Sequence, residues 1–321
     1  MTELALFGKD LFGNVIKQNK LGPVAERFTI PPFSILDARS GEWQERKRAW
    51  ISLGIKGEIG RQALGKNTLG DLESRYKENE KIPDSVKKIL APGSGTSIFD
   101  PTLCELIYRW FCPNDGQVID PFAGGSVRGI VASCLGLNYW GCDLSQSQIW
   151  ANKKQADEIG CDPSPIWIVG DSMEELEKAP DADLIFSCPP YGDLEKYSND
   201  PRDLSNMEWH TFVGAYNRIV MRACKKLKEN RFACFVVGDF RDNRGFYRDF
   251  VSTTINAFKQ QKLELYNEAI LVTSVGSASM RITRQFESGR KFAKTHQNVL
   301  IFCKGDWREA TKNLEGGENN R

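Results

Sequence analysis

From residue 113 to residue 304 short apolar runs alternate with longer stretches whose apolar residues recur at helical spacing. Gln117–Phe122 (QVIDPF) follows the turn Pro113-Asn-Asp-Gly116 and predicts a buried strand. Val127–Leu135 has helical spacing and ends at Gly136, a suitable C-cap. Tyr139–Leu144 predicts a second strand, after which Ser145 can cap a helix running to Gly160. Ile166–Asp171 and Asp183–Cys188 predict the third and fourth strands, the latter stopped by Pro189-Pro190. Glu208–Lys228 carries apolar residues at 212, 213, 216, 219, 220, 223 and 227, the stripe of a long amphipathic helix. Arg231–Gly238 predicts a fifth strand, Phe246–Lys259 a helix, and Leu263–Thr273 and Asn298–Lys304 the last two strands.

Strands alternating with helices predict an α/β fold of Rossmann-like type, a mainly parallel seven-stranded sheet covered on both faces. No convincing helix separates the last two strands, which predicts an antiparallel final pair. In such sheets ligands sit beyond the carboxyl ends of the strands. Residues 1–92, with Pro31-Pro32 and glycines at 41, 54, 57, 60, 65 and 70, predict an irregular N-terminal extension that contacts nucleic acid or covers a cofactor. Residues 93–305 form the predicted main domain, and 306–321, ending Gly316-Gly317-Glu-Asn-Asn-Arg321, predict a flexible tail.

The 321 residues carry 43 Lys+Arg against 42 Asp+Glu, so any case for a polyanionic partner must come from local clustering. The sequence has neither a membrane-spanning apolar run nor the basic start and apolar core of a secretory signal, which favours a cytoplasmic location without membrane attachment. Nine cysteines lie scattered without a Cys-x-x-Cys pair, which predicts reduced thiols. With two histidines, His210 and His296, no metal site is expected.

The chemistry lies just after the strands. Asp120-Pro-Phe-Ala-Gly-Gly-Ser126 follows the first, and Gly124 and Gly125 let the backbone approach a ligand closely. It has neither common phosphate-loop spacing, and its acid suits a cationic group rather than a pyrophosphate. Asp143, after the second strand, suits ribose hydroxyls, and Asp171-Ser172, after the third, suits an adenine amino group. An amino-acid end, a ribose and an adenine together match S-adenosyl-L-methionine better than a nicotinamide dinucleotide.

The fourth strand ends in Cys188-Pro189-Pro190-Tyr191. With Asp120-Pro-Phe-Ala-Gly-Gly-Ser upstream, residues 93 to 305 resemble the class I S-adenosylmethionine-dependent methyltransferases acting on exocyclic amino groups in DNA, orphan methylases of bacteriophages and their hosts among them. The resemblance implies that Phe99, in Thr96-Ser-Ile-Phe-Asp-Pro101, and Phe122 pack near the cofactor, and that the Pro-Pro-Tyr corner holds cytosine N4 or adenine N6 of a flipped base. An aromatic amine is a poor nucleophile, and acceptors for its N–H groups free the lone pair. Consecutive prolines expose a carbonyl for that purpose, and Tyr191 can stack on the base. The family has Asp, Asn or Ser where this chain has Cys188. Three readings stay open: a stand-in for Ser, a covalent nucleophile, or the mark of an inactive protein that still binds nucleic acid. An RNA guanine-N2 methyltransferase shares the Pro-Pro-Tyr ending and is the alternative enzyme.

Three segments are candidates for holding DNA. Loop 192–207 is long and polar and contains Tyr197 and Arg202. Residues 281–297 bring Arg281, Arg284, Arg290 and Lys291 together with Phe286 and Phe292, a mixture suited to phosphate contact and stacking. Arg46-Lys-Arg48 with Trp43 and Trp50 is the third, read equally well as a helix packing its indoles on the main domain.

Overall fold

The computed structural model describes residues 23–56, 99–192, 197–276, 279 and 282–315. Eight strands form one sheet in the order β1-β7-β8-β6-β5-β2-β3-β4. They are β1 (Ile35–Asp37), β2 (Gln117–Asp120), β3 (Asn138–Asp143), β4 (Ile166–Val169), β5 (Ala182–Ser187), β6 (Leu227–Val237), β7 (Leu263–Val272) and β8 (His296–Lys304). All neighbours run parallel except β8, which pairs antiparallel with β6 and β7. This is the Rossmann-like arrangement expected, with β8 as the reversed strand.

The sheet has one strand more than the seven predicted. Ile35–Asp37, inside the stretch expected to be irregular, lies parallel to β7, with Ile35 opposite Ile270 and Asp37 opposite Val272. Only its middle residue, Leu36, is buried. The C-terminal expectation also needs correction: Trp307–Glu315 is helical and buries Ala310 where a flexible tail was predicted to begin.

Alternation along the central strands divides the core in two. Val118, Leu184, Phe186, Phe232, Cys234 and Val236 point to one face, and Ile119, Ile185, Ala233, Phe235 and Val237 to the other. The first face is covered by α2 (Gly41–Ser52), α3 (Pro101–Phe111), α4 (Val127–Cys134) and α5 (Gln146–Ile159), and the second by α7 (Trp209–Lys226) and α8 (Phe250–Lys259). α1 (Pro23–Phe28), α6 (Ser172–Glu175), α9 (Ile282–Gly289) and α10 (Trp307–Glu315) complete the described helices.

The tryptophans of α2 settle the double reading of that segment. Trp43 and Trp50 are buried in the first core, and their indole N–H groups donate to Asp100 at 3.1 Å and Glu105 at 2.8 Å. Arg46 forks onto the Glu105 carboxylate, which also accepts from Arg109 at 3.0 Å. Burial opposes ionisation of Glu105, yet Arg46, Trp50 and Arg109 together hold its carboxyl below the usual range. The helix therefore packs on the main domain, as its indoles require.

Candidate active site

Strands β2 and β5 are parallel neighbours, Val118 opposite Leu184 and Ile119 opposite Ile185, so their carboxyl ends reach the same rim. One ends in Asp120 and the loop Pro121–Ser126; the other ends in Ser187 and the corner Cys188–Tyr191. A hydroxyl joins them: Ser187 Oγ donates to Asp120 Oδ1 at 2.5 Å and accepts from the Phe122 N–H at 3.2 Å.

Asp120 itself does not face a ligand, which corrects its expected direct contact. Its side chain is completely buried, with Oδ1 taken by Ser187 and the Phe122 N–H and Oδ2 by Arg128 Nε at 2.6 Å and the Tyr139 hydroxyl at 2.7 Å. The Arg128 guanidinium also donates to the carbonyls of Phe122 at 2.6 Å and Ala123 at 2.9 Å. Burial would lower the Arg128 pKa, but Asp120 and the neighbouring Tyr139 raise it further, so the guanidinium keeps its charge. The acid is thus the anchor of the loop: it holds the cation that binds two loop carbonyls. Ser172, expected at the ligand, is likewise buried and donates its hydroxyl to the Pro121 carbonyl at 2.5 Å.

The other predicted residues lie around that loop. Gly124 has φ +50°, a left-handed conformation that disfavours a Cβ, and its N–H donates to Asp143 Oδ2 at 3.0 Å. Asn152 on α5 holds the Gly124 carbonyl at 2.8 Å, so the turn is pinned on both sides. Gly125 follows it, half-buried. Asp143 is half-buried at the end of β3, and its Oδ1 accepts from the Ser145 N–H at 2.8 Å. Asp171 is half-buried after β4 and caps α6 through the Met173 N–H at 2.8 Å. Phe122 stacks on Tyr216 at 6.0 Å, and Phe99 lies 4.5 Å beneath the Arg128 guanidinium and edge-on to Phe186 at 5.7 Å. Two half-buried carboxylates, a close-approach glycine turn and two partly exposed rings make a donor set that fits an adenosyl sulfonium.

At the corner, Pro189 is buried while Cys188 and Pro190 are half-buried. Tyr191 packs edge-on to Phe240 at 6.2 Å and to Phe250 at 6.1 Å, and its hydroxyl accepts from Gln297 Nε2 at 2.6 Å. Burial pushes its phenol well above the usual range, so it stays protonated. The ring is fixed in an aromatic cluster and not loose at the surface.

The expected nucleic-acid contacts fare unevenly. Tyr197 is exposed, but Arg202 folds back onto Asp200 at 2.8 Å. Arg284 lies on exposed α9, Arg290 sits 5.2 Å over the Phe286 ring, and Lys291 is half-buried. Arg281, residues 193–196 and Thr96-Ser-Ile98 lie outside the described residues. Among the described residues no group of His, Cys, Asp or Glu is placed to hold a metal, and no helix is long and apolar enough to cross a membrane.

Sequence reasoning missed Arg128, Tyr139, Asn152, Ser187 and Gln297. Arg128 alone left a signal, as a cation on a helix face otherwise made of Val127, Ile130 and Val131. It also missed the segment 239–249. That segment forms a hairpin in which Arg241 bridges Tyr247 and the Asp242 carboxylate caps the turn through the N–H groups of Arg244 and Phe246, both at 3.0 Å.

No protein-family model matches the sequence, and no curated protein matches it. Among solved structures, TrmN from Thermus thermophilus is similar at TM-score 0.44 and 13% identity over 64% of this chain; the match spans 49% of the Thermus chain, about half its length. A TehB-like SAM-dependent methyltransferase from Corynebacterium glutamicum gives TM-score 0.40 and 18% identity over 69% of this chain and 95% of its own. Magnesium protoporphyrin IX methyltransferase from Synechocystis, with SAM bound, gives 0.41 and 9% over 74% and 93%. The likeness is coarse in all three.

Proposed function

We propose that this protein is an S-adenosylmethionine-dependent methyltransferase whose substrate is the exocyclic amino group of a DNA base, cytosine N4 or adenine N6. The observation that carries the reading is the Ser187 bridge, which ties the glycine-rich loop and the Pro-Pro-Tyr corner into one rim with a separation of 2.5 Å between Ser187 Oγ and Asp120 Oδ1.

In this reading Asp143 and Asp171 hold the ribose and adenine ends, Gly124 and Gly125 let the backbone close on the amino-acid end, and Phe99 and Phe122 line the site. Asp120 and Ser172 act beneath the loop and keep its shape. When bound, the cofactor supplies an electrophilic methyl group on a sulfonium. The chain's own part is to align and activate the amine. The carbonyls of the Cys188-Pro189-Pro190 corner accept the amine's N–H groups, which draws its lone pair out of the ring. Two successive prolines suit that role because they fix φ and offer no competing N–H. Tyr191, held by Gln297, offers the base a ring already fixed in place, so little ordering entropy remains at the moment of transfer. Cys188 is half-buried; in the family that the sequence resembles this place holds Asp, Asn or Ser, and here the thiol acts as the isostere of Ser.

Mass spectrometry of the bases in DNA from cells expressing the protein tests this directly. N4-methylcytosine or N6-methyladenine that disappears in Tyr191→Ala supports it. Unmodified DNA together with methyl-labelled guanine in RNA would transfer the reading to an RNA substrate.

A further inference from the structure

The aromatic, charge-balanced segment 239–249 and the basic–aromatic segment 282–294 are separate in sequence but meet beside the Pro-Pro-Tyr corner. The first leaves the end of β6, and its Phe240 packs on Tyr191 at 6.2 Å. The second leads into β8, the antiparallel partner of β6. Their side chains interlock. Lys291 crosses the turn at Gly245, where its Nζ would collide with any Cβ, and Lys294 Nζ lies 5.9 Å from the Tyr247 ring, whose other neighbour is the Arg241 guanidinium at 4.1 Å. A methyl on Gly238 would come within 3.5 Å of Lys294 Cε and 3.9 Å of Tyr191 Cε1, so this cation reaches the corner itself.

The surface so formed has large rings in the open. Phe292 is 75% exposed, Phe246 68% and Tyr247 44%, and Phe286 stacks on Phe292 at 5.9 Å with 27° between planes. Exposed rings of this size call for a partner that is flat and apolar on its face. The interleaved Arg241, Lys291 and Lys294 call for one that is anionic along its edge. Paired bases hide their faces within the stack, whereas unpaired nucleotides offer face and phosphate together.

From this juxtaposition, and resting on the methyltransferase reading above, we infer that Phe246, Tyr247, Phe286, Phe292, Arg241 and Lys291 form a platform for single-stranded DNA, so that the target base arrives from an unpaired stretch. Duplex DNA would leave the rings without partners.

Fluorescence anisotropy with a labelled DNA strand, its duplex and the RNA strand of the same sequence tests the inference. The single DNA strand is expected to bind about tenfold or more tightly than the duplex, and each of Phe246→Ala and Phe292→Ala to lose roughly tenfold, as base–aromatic stacking predicts. Both rings are exposed, so both variants should fold; an unchanged melting temperature verifies it. Phe292→Trp should retain binding. Equal or tighter duplex binding, indifference of strand binding to both alanine variants, or preference for the RNA strand would overturn the inference. Methyl transfer to DNA is scored separately with wild-type protein. Transfer to duplex without strand preference defeats the platform alone, whereas strand binding without any transfer defeats the underlying enzyme reading alone.

Discussion

The Gln297 amide donates to the Tyr191 hydroxyl at 2.6 Å, joining the corner after β5 to β8, the one reversed strand of the sheet. Gln297→Leu removes the donor and leaves the phenol oxygen in a largely buried place, a loss of about 1–3 kcal/mol. Methyl transfer is expected to fall while affinity for S-adenosylhomocysteine stays unchanged. Tyr191→Ala should abolish transfer with the same affinity for that product. Calorimetric titration beside a tritiated-methyl assay separates the two quantities.

Asp120→Ala is expected to abolish cofactor binding, although the carboxylate is buried under the loop. The variant strands the Arg128 guanidinium without its counter-charge and frees two loop carbonyls from a fixed donor. Breaking a buried pair from one side costs about 3–5 kcal/mol, readable in the urea midpoint. Adding Arg128→Met should recover part of the stability but none of the binding, because the loop then lacks both anchors. Independent, additive losses in the double variant would contradict the coupling.

Gly124→Val tests the turn by itself. A β-branched residue at φ +50° is strained by roughly 1–2 kcal/mol, and the cost should appear as lower stability together with weakened cofactor binding. Gly41→Val at a helix start with open space around it is the matching control: a methyl there meets nothing within 4 Å.

Acid should loosen α2 from α3. Glu105 has a lowered pKa in the folded protein, so the unfolded chain binds the extra proton first, and stability rises with pH across that interval. The contribution is complete above the ordinary carboxyl value of 4.5 and is lost as pH falls from there through the lower folded value. Glu105→Gln should flatten that part of the stability–pH curve, measured by thermal unfolding at a series of pH values.

Much of the sheet was legible because seven strands are long or apolar enough to leave a periodic trace. β1 is not: three residues with a single buried side chain, Leu36, give no alternation to detect, and its partner β7 lies more than two hundred residues away. The hairpin at 239–249 escaped notice for a different reason. Asp239, Asp242 and Asp249 offset the charge of Arg241, Arg244 and Arg248 in sequence, whereas in space Asp239 accepts from the Val251 N–H, Asp242 is spent on the turn and the rings are left outward. The motifs after the strands pointed to loops but not to which of their atoms face outward. Asp120 looked like a ligand contact because its saturating partners, Tyr139 and Ser187, come from two other strands.

Trp43 of α2 and the cap of α3 share one carboxylate, Asp100, the residue next to Phe99. Residues 35–52 are therefore stitched to the rest of the described fold twice, once through this knot and once as the outermost ribbon of the sheet. Excising them as a dispensable leader would strip the indoles' berth, slacken the backbone beside Phe99 and bare the flank of β7 to other molecules.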